Sequence, residues 1–302
     1  MSKGRLNILI YHRVLNQPDP LRPNEVDIQR FNKHMKWVKR CFNVLDLSKA
    51  VELMHMHQLP PRSLSITFDD GYKDNYTNAL PILKAHQLKA TVFVSTAFLN
   101  SGAMWNDIVI ESFRNVESDV IDMTQYGLGV YDLIDERNGS LNRLLTDLKY
   151  LSFDQRAKIV GDIPGLFSTK TPLDLMMNDD EVKAMSSQGI TIGAHTVNHP
   201  ILSKIEPNSA EHEILGSKNY LEELLDKPVD MFAYPNGKPG IDYCDEHVQM
   251  VKRMGFKAAV STAWGVASDM SDRYQLPRFT PWDRNALKYI GRLWMMRCRG
   301  AL

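Results

Sequence analysis

The 302-residue chain has no excess of charge of either sign, with 36 lysines and arginines against 36 aspartates and glutamates. A general nucleic-acid binder needs a cationic surface for phosphate, so the balance argues against nucleic acid as a partner. Cysteine is scarce. Cys41, Cys244 and Cys298 are odd in number, far apart and form no CxxC pair, which predicts reduced thiols and a cytoplasmic setting rather than a disulfide framework. No apolar run approaches the ~18 residues of a membrane span. The stretch 6–15 is interrupted by His12 and Arg13 and does not read as a signal-peptide core. Internal repeats, low-complexity tracts and Gly/Ser linkers are missing. So are the GxSxG elbow, the P-loop and the GxGxxG run, which disfavours serine hydrolases, nucleotide hydrolases and dinucleotide binders.

What is present is material for a sizeable core, since 43% of residues are apolar. The length suits about two domains, or one α/β barrel with an insertion. Residues 6–11 read as a buried strand, and further strands are expected at 63–68, 91–95, 190–194, 231–234 and 257–261. Helices fit between them. Ile28, Phe31, Met35 and Val38 share one face, and helices are also expected at 75–87 and 208–225. Strands that alternate with helices need crossover connections and therefore pair in parallel. Residues 105–174 break the alternation with helical pieces at 141–151 and 153–160 and loop signals at Gly127, Gly129, Gly139 and Pro164. They read as an insertion that roofs the site, within one barrel domain over 1–302.

The strand 63–68 ends in Asp69-Asp70-Gly71, and parallel α/β folds place active sites at strand C-termini. Two adjacent carboxylates suit a division of labour, one ligating a cation and the other staying free as a base. Turn chemistry alone also produces Asp-Gly pairs. His195 and His199 follow the strand 190–194, and their i, i+4 spacing brings two imidazoles to one side of a helical turn. A barrel would gather Asp70, His195 and His199 at one rim as a two-histidine, one-carboxylate site. Such a site suits hydrolytic zinc and, less readily, non-haem iron.

At these positions the sequence resembles the polysaccharide deacetylases of carbohydrate esterase family 4, the nodulation-deacetylase homology group. Thr67-Phe68-Asp69-Asp70 is similar to the family's first motif, His195-Thr196-Val197-Asn198-His199 to the second, and Phe232-Ala233-Tyr234-Pro235-Asn236-Gly237 to the third. The resemblance runs from about residue 6 to 280. It implies a distorted (β/α) barrel of about seven parallel strands with a helical insertion, and removal of the N-acetyl group from an N-acetylated sugar. It implies a divalent metal on Asp70, His195 and His199, with Asp69 as general base and Tyr234, Pro235 and Asn236 on the substrate. Zinc is the default ion, and the ligand set also accepts cobalt, nickel or iron.

The sequence departs from the family pattern in three places. Ala233 stands where many members carry a base-orienting arginine, Asn236 replaces a tyrosine, and no histidine follows His247 to act as the late general acid. Tyr11-His12 is similar to the branch that deacetylates exopolysaccharides, which makes His12 the expected proton donor. Arg278, in Leu276-Pro277-Arg278, is the expected replacement for the arginine, with Arg13 behind it. The alternatives are a hydrolase of a small non-sugar amide or ureide, an iron oxygenase, and a non-catalytic glycan-binding barrel that keeps its metal.

Three further features remain. Cys244 shares an apolar stripe with Ile241, Val248 and Val251 and reads as core, while His55 and His57 read as solvated. Asn178 followed by Asp179, Asp180 and Glu181 reads as a helix N-cap with first-turn acids. A basic C-terminal helix at 283–298 pairs Arg284, Lys288, Arg292, Arg297 and Arg299 with an apolar face of Leu287, Ile290, Leu293 and Trp294. That face predicts either a barrel-closing helix or docking to an anionic membrane, peripheral to its inner face.

Overall fold

Strand β2 (Ser63–Phe68) is buried along its whole length, as a parallel strand covered on both faces must be. Around it the computed structural model, which describes residues 4–100, 102–170 and 174–299, arranges β1 (Arg5–Tyr11), β3 (Thr91–Val94), β4 (Thr191–Ala194), β5 (Met231–Ala233), β6 (Ala258–Trp264) and β7 (Leu276–Arg278). The seven strands follow chain order through one parallel sheet. Phe279, just past β7, closes the ring on β1: its N–H donates to Ile8 O at 2.8 Å and its carbonyl accepts from Ile10 N–H at 3.0 Å. This is the distorted (β/α) barrel of about seven parallel strands that the resemblance implies. Asn43–Val44 pairs in parallel with β2, and Ala267–Ser268 pairs antiparallel with β1.

Strand alternation sorts the side chains into two sets. Leu64, Ile66, Phe68, Val92, Val94, Phe232 and Tyr234 pack with the helical residues Phe31, Met35, Val38, Leu83, Met185 and Ile214. Ile8, Phe93, Met231, Ala233, Val260 and Leu276 form a second cluster, joined by Leu47, Ala50 and Met54 of helix Leu47–His55. Gly193 belongs to this inner set: a Cβ there would stand 2.5 Å from the Phe93 ring. The expected helices form, with Ile28–Cys41 capped by the Asp27 side chain and Asp179–Ser187 by Asn178 in a reciprocal bond with Glu181. Residues 75–87 differ in detail, running as a wide π turn over Asn75–Ala79 into the helix Leu80–Ala85.

The chain divides into two compact units, and the barrel is the larger. The smaller comprises Pro20–Pro23 and Ser101–Met176. Its helices Trp105–Asn115, Arg137–Lys149 and Phe153–Leu166 share a core of Val109, Phe113, Leu144, Leu148, Ile159 and Ile163 with the antiparallel pair Val120–Asp122 and Val130–Asp132.

Two expectations need correction. Cys244 is exposed and caps helix Asp245–Arg253, so it precedes the helical period that buries Val248 and Val251. The C-terminal helix Ala286–Arg299 buries Tyr289, Leu293 and Met296 and leaves Leu287 84% exposed, a face rotated from the expected one. Arg297 is buried, donating to Asn7 Oδ1 at 2.8 Å and Ser63 O at 3.0 Å, and Arg292 pairs with Asp283 at 2.8 Å. Arg297 is thus used inside the fold, while Arg284 and Lys288 stay exposed. Among the described residues no helix is long and apolar enough to cross a membrane.

Candidate active site

β2 delivers the two carboxylates. Thr67 and Asp69 alternate with the helix-facing Ile66 and Phe68, so Asp69 lies on the inner side of the ring, and its N–H donates to Tyr11 O at 2.9 Å. Arg278, at the end of β7, grips Asp69 through two bonds, Nη1 to Oδ1 at 2.7 Å and Nη2 to Oδ2 at 2.6 Å. The guanidinium is itself fixed, donating from Nε to Ser261 O at 2.8 Å and from Nη1 to Thr67 Oγ1 at 3.1 Å. Both side chains are almost fully buried. Burial alone would raise the Asp69 pKa; Arg278, helped by His195 and His12, reverses that and holds the carboxyl below its ordinary range. Arg13, the second candidate for this role, is instead paired with Asp74 at 2.7 Å.

Asp70 turns away from the strand with φ of 77°, and Thr196, His199 and Asn236 also have positive φ, at 64°, 53° and 58°. For β-branched Thr196 this is an outlier conformation that neighbouring structure must impose. Glu213, on helix Pro207–Leu225, accepts from the N–H groups of Val197 and Asn198 at 2.9 and 2.8 Å and from the Asn198 side chain at 2.8 Å. His195-Thr196-Val197-Asn198-His199 is therefore an irregular loop pinned by a carboxylate, not the helical turn that the i, i+4 spacing predicts.

The loop nevertheless brings the imidazoles together, with ring centroids 4.8 Å apart. His195 Nδ1 donates to Ala233 O at 2.7 Å, a bond that leaves Nε2 as the free lone pair. The two Nε2 atoms lie 3.4 Å and 3.5 Å from Asp70 Oδ1, and one ligand atom from each residue falls within 4.8 Å of the others. A four-coordinate ion with bonds of about 2.0–2.1 Å separates its ligands by roughly 3.4 Å, so these three residues fit a divalent metal. Burial, with His195 in support, outweighs Asp70 and pushes the His199 pKa down to about 4, while the histidines hold Asp70 well below the usual carboxylate range despite its burial. A neutral imidazole and an ionised carboxylate are the forms that bind metal.

The polysaccharide deacetylase family profile matches residues 57–131 and 149–259, more than half of the chain. The chain belongs to this family. The poly-β-1,6-N-acetyl-D-glucosamine N-deacetylase of Staphylococcus epidermidis is 24% identical over 246 residues, covering 74% of this chain and 83% of that protein. Among solved structures, the Streptococcus pyogenes deacetylase PplD in complex with acetate superposes with a TM-score of 0.65 at 21% identity, over 97% of this chain and 98% of that one. IcaB from Ammonifex degensii superposes with a TM-score of 0.59 at 16% identity, over 91% of each chain. These two likenesses are of fold.

Two of the candidate site residues lie outside the matched stretches. His12 follows β1 directly and is half-buried; burial disfavours its charged form, yet Asp70, Glu25 and Asp69 together raise its pKa above the ordinary histidine value. Arg278 is the other. Of the third-motif residues, Tyr234 is corrected: it shares the helix-packed face with Phe232 and is fully buried, stacked on Tyr243 at 3.8 Å, so no side-chain contact with substrate remains to it. Pro235 is also buried, and Asn236 stays half-open at the rim with its carbonyl accepting from Thr262 Oγ1 at 2.6 Å. Sequence reasoning missed Glu213 and Glu25. Neither sits in a motif, and only Glu213's place in the second turn of the helix that follows His199 offered any signal.

Proposed function

We propose that this chain is a metal-dependent hydrolase that removes the N-acetyl group from an N-acetylated sugar of a glycan, releasing acetate. The observation that carries the reading is Asp69, a buried carboxylate held ionised by Arg278 immediately beside three side chains that fit a divalent ion. A structural or purely binding role needs no such base. The Staphylococcus epidermidis relative, named for N-deacetylation of poly-β-1,6-N-acetyl-D-glucosamine, supports the same substrate class.

Asp70, His195 and His199 would hold a divalent ion, whose Lewis acidity would serve the acetamide carbonyl and the attacking water. Asp69 accepts the proton as the water oxygen bonds to the carbonyl carbon. The Gly237 N–H is committed to Pro235 O at 2.6 Å, which leaves the Asn236 N–H as the backbone donor for the developing oxyanion. His12 gives its proton to the amine nitrogen as the C–N bond breaks, because an amide anion is too poor a leaving group.

The test combines metal analysis with acetate release from N-acetylglucosamine oligomers. Asp69→Asn keeps the metal and loses turnover by on the order of 10²-fold or more. His195→Ala loses metal and turnover together while its circular dichroism stays native. A wild-type protein that binds metal yet releases no acetate from any N-acetylated sugar refutes the reading.

A further inference from the structure

Trp264 and Trp282 are 48% and 45% exposed, and they lie together. Trp264 ends β6, at the position paired with Arg278 across the sheet, and Trp282 follows Arg278 by four residues. Their rings are near-parallel, 28° apart with centroids at 6.1 Å. Both pack on Phe279, the residue that closes the barrel, at 6.0 Å and 5.2 Å. The pair thus stands on the C-terminal rim one strand position from the guanidinium that grips Asp69. Between Val260 and Trp264 the pairing of β6 with β7 slips, and a bulge of this kind re-aims the side chains beyond it.

The segment is held in place before any ligand arrives. Arg30 donates to the Trp282 carbonyl, and the Arg292 guanidinium lies 4.7 Å over the Trp282 ring. Arg292 is itself fixed by Asp283 through bonds of 2.8 and 3.1 Å, and Asp283 O is bonded by His34 Nε2 at 3.0 Å. Ordering cost at binding falls accordingly. Large aromatic surface left in water beside a site is the informative kind of exposure. A pyranose ring matches it: its face of C–H groups is apolar and flat enough to lie on an indole, while its hydroxyl edge suits the partly exposed Arg292 guanidinium at the border.

We propose that Trp264 and Trp282 form a stacking subsite for a second pyranose ring of the glycan, the neighbour of the sugar whose N-acetyl group meets Asp69. The proposal rests on the deacetylase reading for its ligand, and the site makes the protein select oligomers over single sugars.

The experiment uses the full-length, metal-loaded protein with N-acetylglucosamine and its β-1,4- and β-1,6-linked tetramers. Tryptophan emission is followed during titration, and acetate release is measured in parallel. In the wild type a tetramer shifts the emission and has a higher kcat/KM than the monomer. Trp264→Ala and Trp282→Ala each weaken tetramer binding by about 2- to 10-fold, and the double variant brings the tetramer-to-monomer ratio of kcat/KM towards one. Trp264→Phe and Trp282→Phe, which keep an aromatic face and guard against misfolding of the alanine variants, recover most of the affinity. An unchanged ratio in the double alanine variant, phenylalanine variants that recover nothing, or a wild type without preference for either tetramer overturns the subsite, while acetate release leaves the deacetylase reading intact. Conversely, Trp-dependent tetramer binding without acetate release keeps the subsite and removes the hydrolytic reading.

Discussion

Replacing Arg278 by alanine removes the bonds of 2.7 and 2.6 Å that hold Asp69 and leaves a carboxylate only 2% exposed. Burial is the largest influence on Asp69 and favours the neutral acid, and Arg278 is the foremost group that opposes it. An adjacent opposite charge is worth about 1–3 pH units to a carboxylate. The acid limb of the kcat/KM profile for acetate release should therefore move up by about 1–3 units, because Asp69 must be ionised to accept a proton. Arg278→Lys, which keeps the charge but not the fork, should fall between the two.

Stability changes in the same direction. In the wild type the folded pKa of Asp69 lies below its unfolded value, so the pair stabilises above the unfolded pKa and its contribution is lost as pH falls through the folded one. Breaking a buried pair by removing one partner costs about 3–5 kcal/mol. Urea unfolding at neutral pH should show that loss in Arg278→Ala, and the gap to wild type should shrink as pH is lowered through the carboxylate range and Asp69 protonates in both. A variant with the wild-type acid limb and a pH-independent stability loss would refute the argument and leave Arg278 a packing residue.

His12→Ala should retain metal and lose turnover on an unactivated acetamide. His12→Gln should not rescue it, since an amide side chain cannot give up a proton; wild-type turnover in His12→Ala would assign the donor elsewhere. Glu213→Ala frees the N–H groups of Val197 and Asn198, so the His195–His199 loop should loosen and metal affinity should fall by about 10- to 100-fold in competition with a chelator. Unaltered affinity there would mean that the strained loop holds its shape without Glu213.

The barrel itself was legible because its signal is local. A run such as Leu64-Ser65-Ile66-Thr67-Phe68 reads as a buried strand, and helical segments between such runs imply crossovers and parallel pairing. Strand ends then pointed to Asp69, Asp70 and His195. Helix faces were less legible where the chain leaves its barrel: the stripe expected on the C-terminal helix is rotated, because packing of Tyr289, Leu293 and Met296 outranks the apolar residues Leu287 and Trp294.

By itself the sequence determined where the strands lie along the chain, the two aspartates and the two histidines, since each depends on a few neighbouring residues. Tertiary structure alone decided how they work together. Arg278 reaches Asp69 across 209 residues because β7 closes on β1, a pairing that no local pattern encodes. The geometry of His195 and His199 comes from Glu213 and the Ala233 carbonyl rather than from their spacing. Tyr234 lies within a motif yet leaves the site, because strand alternation turns it to the helix-packed face while its neighbour Ala233 faces inward.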